Sequence, residues 1–213
     1  RFIKAYGIDM TEAKFEQAKD YASFNAFFTR PIKSSVRPID PAPTHIVSPA
    51  DGAVSQIGQI DGDAVFQAKG QHFSAVELVG DRALAQPFLG GQFATIYLSP
   101  RDYHRVHMPF AGRLTETIYI PGELFSVNGT TAAHVDGLFA RNERTVCVFD
   151  TPEGPFVLVL VGATIVGSMA TVWHGQINPP RPTDAREWRY DDELISLKQG
   201  DEMGRFMLGS TVV

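Results

Sequence analysis

Thr145-Val146-Cys147-Val148-Phe149, the turn signal Glu153-Gly154 and the apolar run Phe156 to Val161 decide the fold. β-branched and aromatic residues dominate both runs, each is strand-sized, and a glycine turn parts them. The same signature recurs outward along the chain, at Val54-Ser55-Gln56-Ile57, Phe93 to Leu98, Thr115 to Ile120 and Ala170-Thr171-Val172-Trp173, with Asp51-Gly52 and Asp61-Gly62 as further turn signals. Many short strands joined by tight turns predict an α+β, mainly β fold with an antiparallel β sandwich or barrel-like core. Upstream, residues 11–29 read as an N-terminal helical segment. Thr11 and Glu12 make its start, Ala13, Phe15, Ala18, Phe24, Phe27 and Phe28 supply apolar faces, and Pro31 stops it. Pro179-Pro180-Arg181-Pro182 reads as a stiff loop leading to the last segment.

With 213 residues, 44% of them hydrophobic, the chain is long enough for one well-buried core, and a single domain over 1–213 is expected. A net charge of -5 argues against nucleic acid as a partner, because no basic stripe is there to displace phosphate counterions. The lone Cys147 lies in an apolar run and reads as a buried strand residue; one cysteine forms no internal disulfide, so a reducing compartment is permitted. No stretch approaches the roughly 20 apolar residues that span a bilayer, so membrane contact is expected to be peripheral. Phe2-Ile3-Lys4-Ala5-Tyr6-Gly7-Ile8 mixes apolar and basic residues, which suits an interfacial segment and equally a helix packed on its own core.

Leu208-Gly209-Ser210-Thr211 carries the sharpest chemical signal. Glycine leaves the scissile carbonyl without a neighbouring Cβ, and the Ser210 hydroxyl reaches that carbonyl through a five-membered ring, so the chain can cut itself there and turn a serine into a carbonyl cofactor. Gly-Ser pairs are also common in turns, and Gly167-Ser168 is a second one. Ser99-Pro100-Arg101-Asp102 resembles a helix start, with Tyr103 to His107 a brief turn ended by Pro109. A helical turn puts His104 and His107 on one face, whereas a strand at His107 points the two rings apart. They read as a surface pair, as metal ligands or as catalytic groups; nothing supplies a clear third ligand, so no metal is expected. Asp51 is either a hairpin-turn aspartate or the carboxylate that orients a base for a serine nucleophile.

Six more segments supply context: Phe27-Phe28-Thr29-Arg30-Pro31, Ser48-Pro49-Ala50-Asp51-Gly52, Tyr103-His104-Arg105-Val106-His107-Met108-Pro109, Gly122-Glu123-Leu124-Phe125-Ser126-Val127-Asn128, Asn142-Glu143-Arg144 and Val161-Gly162-Ala163-Thr164. In this order and spacing the chain resembles the phosphatidylserine decarboxylase family, in its bacterial membrane-associated form. The resemblance implies a triad of Asp51, His107 and Ser210 that drives self-cleavage between Gly209 and Ser210. Ser210 then becomes a pyruvoyl group, with no metal and no pyridoxal phosphate, that takes phosphatidylserine as a Schiff base, releases CO₂ and gives phosphatidylethanolamine. It further implies His104 as the acid in decarboxylation, and α and β subunits from one proenzyme, with residues 210–213 opening the α subunit. A membrane-contacting segment at 1–30, a homodimer, and a peripheral place on the cytoplasmic side of the bacterial inner membrane complete the expectation. Gly122 to Asn128 is expected to shape the pocket; no arginine or lysine stands out for the phosphate. The family usually continues past the serine and carries more sequence upstream, so the chain reads as a fragment. A serine hydrolase using the same three residues lacks the Gly-x-Ser-x-Gly elbow. A non-catalytic β-rich module akin to carrier domains is the other alternative, and the mass of the intact chain distinguishes all three.

Overall fold

A computed structural model of the chain describes residues 1–42, 44–164, 168–177, 182–191, 194–207 and 210–213. Gly209 of the cleavage dipeptide, Gly167 of the other Gly-Ser pair and residues 179–181 of the proline-rich loop lie outside that set. The strands are β1 (Ala53–Gln59), β2 (Ala64–Ala68), β3 (Gln71–Ser74), β4 (Gln92–Leu98), β5 (Arg105–His107), β6 (Gly112–Ile120), β7 (Arg144–Thr151), β8 (Gly154–Val161), β9 (Met169–Thr171), β10 (Gly175–Gln176), β11 (Arg186–Arg189), β12 (Ser196–Leu197), β13 (Glu202–Phe206) and β14 (Ser210–Val212). The helices are short: α1 (Phe2–Tyr6), α2 (Phe24–Phe28), α3 (Ala75–Val79), α4 (Arg82–Ala85), α5 (Gly129–Ala132) and α6 (Leu138–Arg141). An eight-stranded sheet runs β1-β4-β14-β8-β7-β6-β11 with β12 also on β6, a four-stranded sheet runs β10-β9-β13-β5, and β2 and β3 form a hairpin. The pairings are antiparallel and the sheets stay open, so the sandwich expectation holds and the barrel does not.

Alternation along β7 and β8 builds the layers. Successive side chains point to opposite faces. Val146, Val148, Val159 and Val161 enter one core with the β2–β3 hairpin, α3 and α6, while Cys147, Phe149, Leu158 and Leu160 enter a second core with Val106, Met169, Met203 and Phe206 of the smaller sheet. The large sheet is therefore covered on both faces, and its central strands read as continuous apolar runs for that reason. Burial holds the Cys147 thiol well above its ordinary range, in keeping with an inert strand residue.

The expected helix over 11–29 is not one helix. Ala13 forms a bridge with Ile32, Lys14 N donates to Pro31 O at 2.9 Å and Lys33 N to Glu12 O at 2.9 Å. Extended pairing has taken the start of the segment; a single 3-10 turn at Ala18–Asp20 and α2 are its helical parts, α2 started by Ser23, whose hydroxyl accepts from Ala26 N at 3.1 Å. The apolar positions of 11–29 never shared one helical face, so nothing opposed the break. Instead α1 forms at Phe2–Tyr6, ends at left-handed Gly7, and leans its Phe2 ring on Phe24, Phe27 and Phe28.

Asp51-Gly52 is not a hairpin; it is a bend that feeds β1 onto β4. Gly52 has φ 141, and a Cβ there would sit 2.3 Å from the Tyr97 carbonyl oxygen. Gly52→Ala is expected to lower stability by about 1–3 kcal/mol or more, from strain and the clash together. Gly62→Ala, where φ is 63 and nothing lies within 4 Å, should cost only about 1 kcal/mol. Urea midpoints check the contrast, and equal losses would contradict it.

Candidate active site

β4 is the strand on which the site is hung. Ala53 of β1 pairs with Tyr97 on one side of it, and Ser210 of β14 pairs with Leu98 on the other. The Asp51-Gly52 bend and the backbone of Ser210 therefore lie at the same end of β4, one strand to either side. Beyond β4 the chain turns through Ser99–Asp102, where the Asp102 carboxylate accepts from both the amide and the hydroxyl of Ser99 at 2.7 Å. That turn stops short of a helix. β5 begins at Arg105, so His107 lies on a strand and the two histidines face different surroundings.

His104 is fully buried, its ring 4.1 Å from that of Phe28. Nδ1 donates to Asp102 O at 2.7 Å, because a carbonyl only accepts, so Nε2 carries the bare lone pair of the neutral ring. Nε2 is buried and has no partner among the described residues. Burial pushes the His104 pKa down to about 4, against the opposing pull of the Asp102 carbonyl. Phe206 N donates to His104 O at 3.0 Å, which sets the end of β13 against His104 shortly before the serine.

His107 is half-buried, and both of its nitrogens are engaged. Nδ1 donates to Gly200 O at 2.7 Å, and Nε2 accepts from the Tyr103 hydroxyl at 3.0 Å, the two rings lying stacked. Gly200 can present that carbonyl because its φ is 82, in the left-handed region. Desolvation raises the Tyr103 pKa to about 12, which keeps its proton on the phenol. His107 N donates to Pro49 O at 2.7 Å and so fastens β5 to the Ser48–Asp51 segment.

Asp51 comes to the site without reaching His107. Its carboxylate holds Arg37, which donates from Nε at 2.9 Å and from Nη2 at 2.6 Å, while the same guanidinium also grips Glu12. Those bonds, Asp51 first, hold the Arg37 guanidinium above its ordinary pKa. The structure thus gathers Asp51, His104, His107 and the Ser210 backbone at one end of β4. It does not make the aspartate–histidine hydrogen bond.

The Gly122 to Asn128 segment is pinned at the same level. Thr211 pairs with Val161, which puts Ser210 level with Gly162. Buried Asn142 donates to Gly162 O at 2.8 Å and to Phe125 O at 2.9 Å, and accepts from Phe125 N at 3.0 Å. A side chain at Gly122 would collide with the Arg141–Glu143 backbone, so the loop lies flat on it. Arg37, Tyr103, Gly200 and Asn142 had no role in the sequence reading. Tyr103 stood inside a quoted motif four residues before His107, but the Arg37 and Gly200 contacts join positions far apart in sequence and leave no local signal.

Among the described residues no group of three or more His, Cys, Asp or Glu could hold a metal ion, and no helix is long and apolar enough to cross a membrane. Two imidazoles of opposite surroundings, one sealed and one half-buried, thus stand at one sheet end of a mainly β fold. Residues 24–213 match the family model described as phosphatidylserine decarboxylase. Proteins called phosphatidylserine decarboxylase proenzyme from Delftia acidovorans, Variovorax paradoxus and Dechloromonas aromatica are 66%, 62% and 62% identical, across all of this chain and 75% of each relative. The chain belongs to the phosphatidylserine decarboxylase family, whose members are carboxy-lyases.

The depressed pKa of His104 has a consequence for stability. Its folded value of about 4 lies below the ordinary 6.5. Above pH 6.5 neither the folded nor the unfolded chain holds the proton, and between 6.5 and 4 the unfolded chain takes it first. Stability therefore falls as pH drops through that window, by roughly 3 kcal/mol from this group. The urea midpoint of the wild type should decline across it more steeply than that of His104→Gln; parallel declines would contradict the burial of a neutral imidazole.

Proposed function

We propose that the chain is a phosphatidylserine decarboxylase proenzyme, one decarboxylase unit over 1–213, that cuts itself between Gly209 and Ser210. The observation that carries this is the convergence on β4: Ser210 opposite Leu98, the Ser48–Asp51 segment bonded to His107, and His104 bonded to the end of β13. That convergence supports reading Ser210 as nucleophile, His107 as its base and Asp51 as the orienting carboxylate, drawn from three separate motifs.

In maturation His107 Nε2 takes the Ser210 hydroxyl proton, Oγ attacks the Gly209 carbonyl carbon, and the peptide C–N bond breaks as the nitrogen is protonated, leaving an ester. Loss of the Ser210 α-proton expels the Gly209 carboxylate, and water then releases ammonia to leave a pyruvoyl group. On this reading the contacts seen here are exchanged during cleavage: Asp51 leaves Arg37 for His107, and the serine hydroxyl takes the place of Tyr103 on Nε2.

Two observations support a pyruvoyl group at the start of β14: Ser210 pairs with Leu98 at the strand end that leads to His104, and His104 Nε2 is buried with no partner among the described residues. The pyruvoyl carbonyl supplies an electron sink for the pair released with CO₂ when the amine of phosphatidylserine is bound to it. His104 does the proton work. A ring with a pKa of about 4 arrives neutral, so it first accepts the proton that the substrate ammonium must lose. It then returns that proton to the carbon from which CO₂ departed, giving phosphatidylethanolamine. Exposed Tyr6 and Phe24 beside Phe2, and exposed Phe15 beside Tyr21, favour peripheral contact of residues 1–30 with a membrane surface. With that come α and β subunits from one precursor, a homodimer, and a place on the cytoplasmic side of the bacterial inner membrane.

Ser210→Ala should give an uncut, inactive chain, and Ser168→Ala should cut normally. Asp51→Ala and His107→Ala should block cutting. His104→Ala should still cut, yet release CO₂ from phosphatidylserine roughly 100- to 10,000-fold more slowly. Gel analysis and CO₂ release read all five. CO₂ from Ser210→Ala would refute the pyruvoyl assignment, processed Asp51→Ala or His107→Ala would remove that residue from the triad, and an uncut His104→Ala would move His104 into maturation.

A further inference from the structure

Arg30 belongs to a quoted motif that the chemistry above does not use. It is 5% exposed, with its guanidinium 5.4 Å from the centre of the Phe27 ring. Nη2 donates to Arg101 O at 3.1 Å, whereas Nη1 is buried without an acceptor, and among the described residues no carboxylate pairs with this guanidinium. Burial lowers its pKa, yet a guanidinium stays charged at neutral pH. Glu12, Asp51 and Asp102 act on this charge only at Coulombic range, with no direct ion pair among the described residues, so a buried guanidinium with an unfilled donor offers a place for an anion.

The surroundings say which anion. Residues 28–30 lie against the segment 101–105: Phe28 packs on His104, and Thr29 O accepts from Arg105 Nε at 3.0 Å. The Arg30 charge is felt at the His104 ring. On its other flank Phe27 and Phe28 lead through Phe2 to the exposed Phe24. A buried imidazole, a buried cation and an aromatic surface thus meet around Phe27 and Phe28. An amino-phospholipid brings the matching groups: an amino acid, a phosphodiester and acyl chains.

We propose that Arg30 Nη1 receives the phosphodiester of the lipid substrate, an assignment that rests on phosphatidylserine being that substrate. The carboxylate is the wrong partner on energetic grounds. It loses its charge as CO₂ leaves, so a cation fixed on it would stabilise the ground state and raise the barrier. The phosphodiester keeps its charge throughout, so a cation there lowers KM without opposing the chemistry. A planar guanidinium also matches phosphate oxygens better than an ammonium does. α1 has no buried residue and lays its Phe2 ring on Phe24, Phe27 and Phe28, so the aromatic side chains beside the Arg30 guanidinium are bordered by a loosely held helix, and the phosphodiester reaches Nη1 by displacing them.

The test compares two substrates in detergent micelles: phosphatidylserine, and an O-alkyl serine ether that keeps the amino acid and an alkyl chain but has no phosphate. Self-cleaved Arg30→Met should show a KM for phosphatidylserine raised about 10- to 150-fold, the range of one lost charge-assisted hydrogen bond, with kcat little changed. Its kinetics on the ether should match the wild type, and Arg30→Lys should fall between. Equal losses on both substrates, or a fall in kcat at constant KM, would overturn the assignment. Should Arg30→Met fail to fold, the wild type alone decides: a KM about tenfold or more lower for the phosphate-bearing substrate supports the site, and equal KM values refute it. Absence of wild-type turnover on phosphatidylserine would instead overturn the functional reading, and this assignment with it.

Discussion

The register of β4 between β1 and β14 is the constraint on which the rest depends. Strand pairing fixes Ala53 to Tyr97 and Ser210 to Leu98, and so brings residues more than 150 positions apart to one strand end. A slip of one residue in either ladder would turn every side chain of that strand to the opposite face. Gly52 guards the register on one side, because no other residue lets the backbone approach the Tyr97 carbonyl so closely. On the other side β14 is held between two neighbours, β4 and β8, and the double cover of the large sheet keeps those neighbours rigid.

Packing then gives two histidines three residues apart opposite surroundings, which is what the proposed division of labour rests on. His104 is sealed under Phe28 with one nitrogen spent on a backbone carbonyl, so it is neutral and its free nitrogen is a base in a dry place. His107 sits nearer water, oriented by Gly200 and capped by Tyr103, contacts that are polar and replaceable. A group whose bonds can be exchanged suits a reaction that happens once. A buried group with an unclaimed lone pair suits one that recurs. Arg37 adds a charge partner for Asp51 from the segment before β1, coupling the N-terminal region to the carboxylate.

The fold was legible where local pattern and burial agree. β7 and β8 are buried on both faces, so their β-branched runs and the Glu153-Gly154 turn announce a hairpin without help from the rest of the chain. The helical reading of 11–29 failed because the bridge of Ala13 to Ile32 outweighed a weak propensity, and short strands such as β5, β12 and β14 exist only through their partners. Motifs identified Asp51, His104, His107 and Ser210 by chemical type. What they could not give is who bonds to whom: Arg37 rather than His107 on Asp51, a Gly200 carbonyl on Nδ1, and an arginine buried with one nitrogen lacking an acceptor among the described residues are products of tertiary packing.

The central claim is that this arrangement makes a serine into a carbonyl by cutting its own backbone, and the mass of the purified wild-type chain tests it most directly. The account predicts two pieces, one ending at Gly209 as a free acid and one beginning at residue 210 without a free amine. Their summed mass should equal that of the uncut chain plus one water minus one ammonia. A single uncut species, or a second piece that keeps an intact N-terminal serine so that the sum gains a whole water, would contradict it.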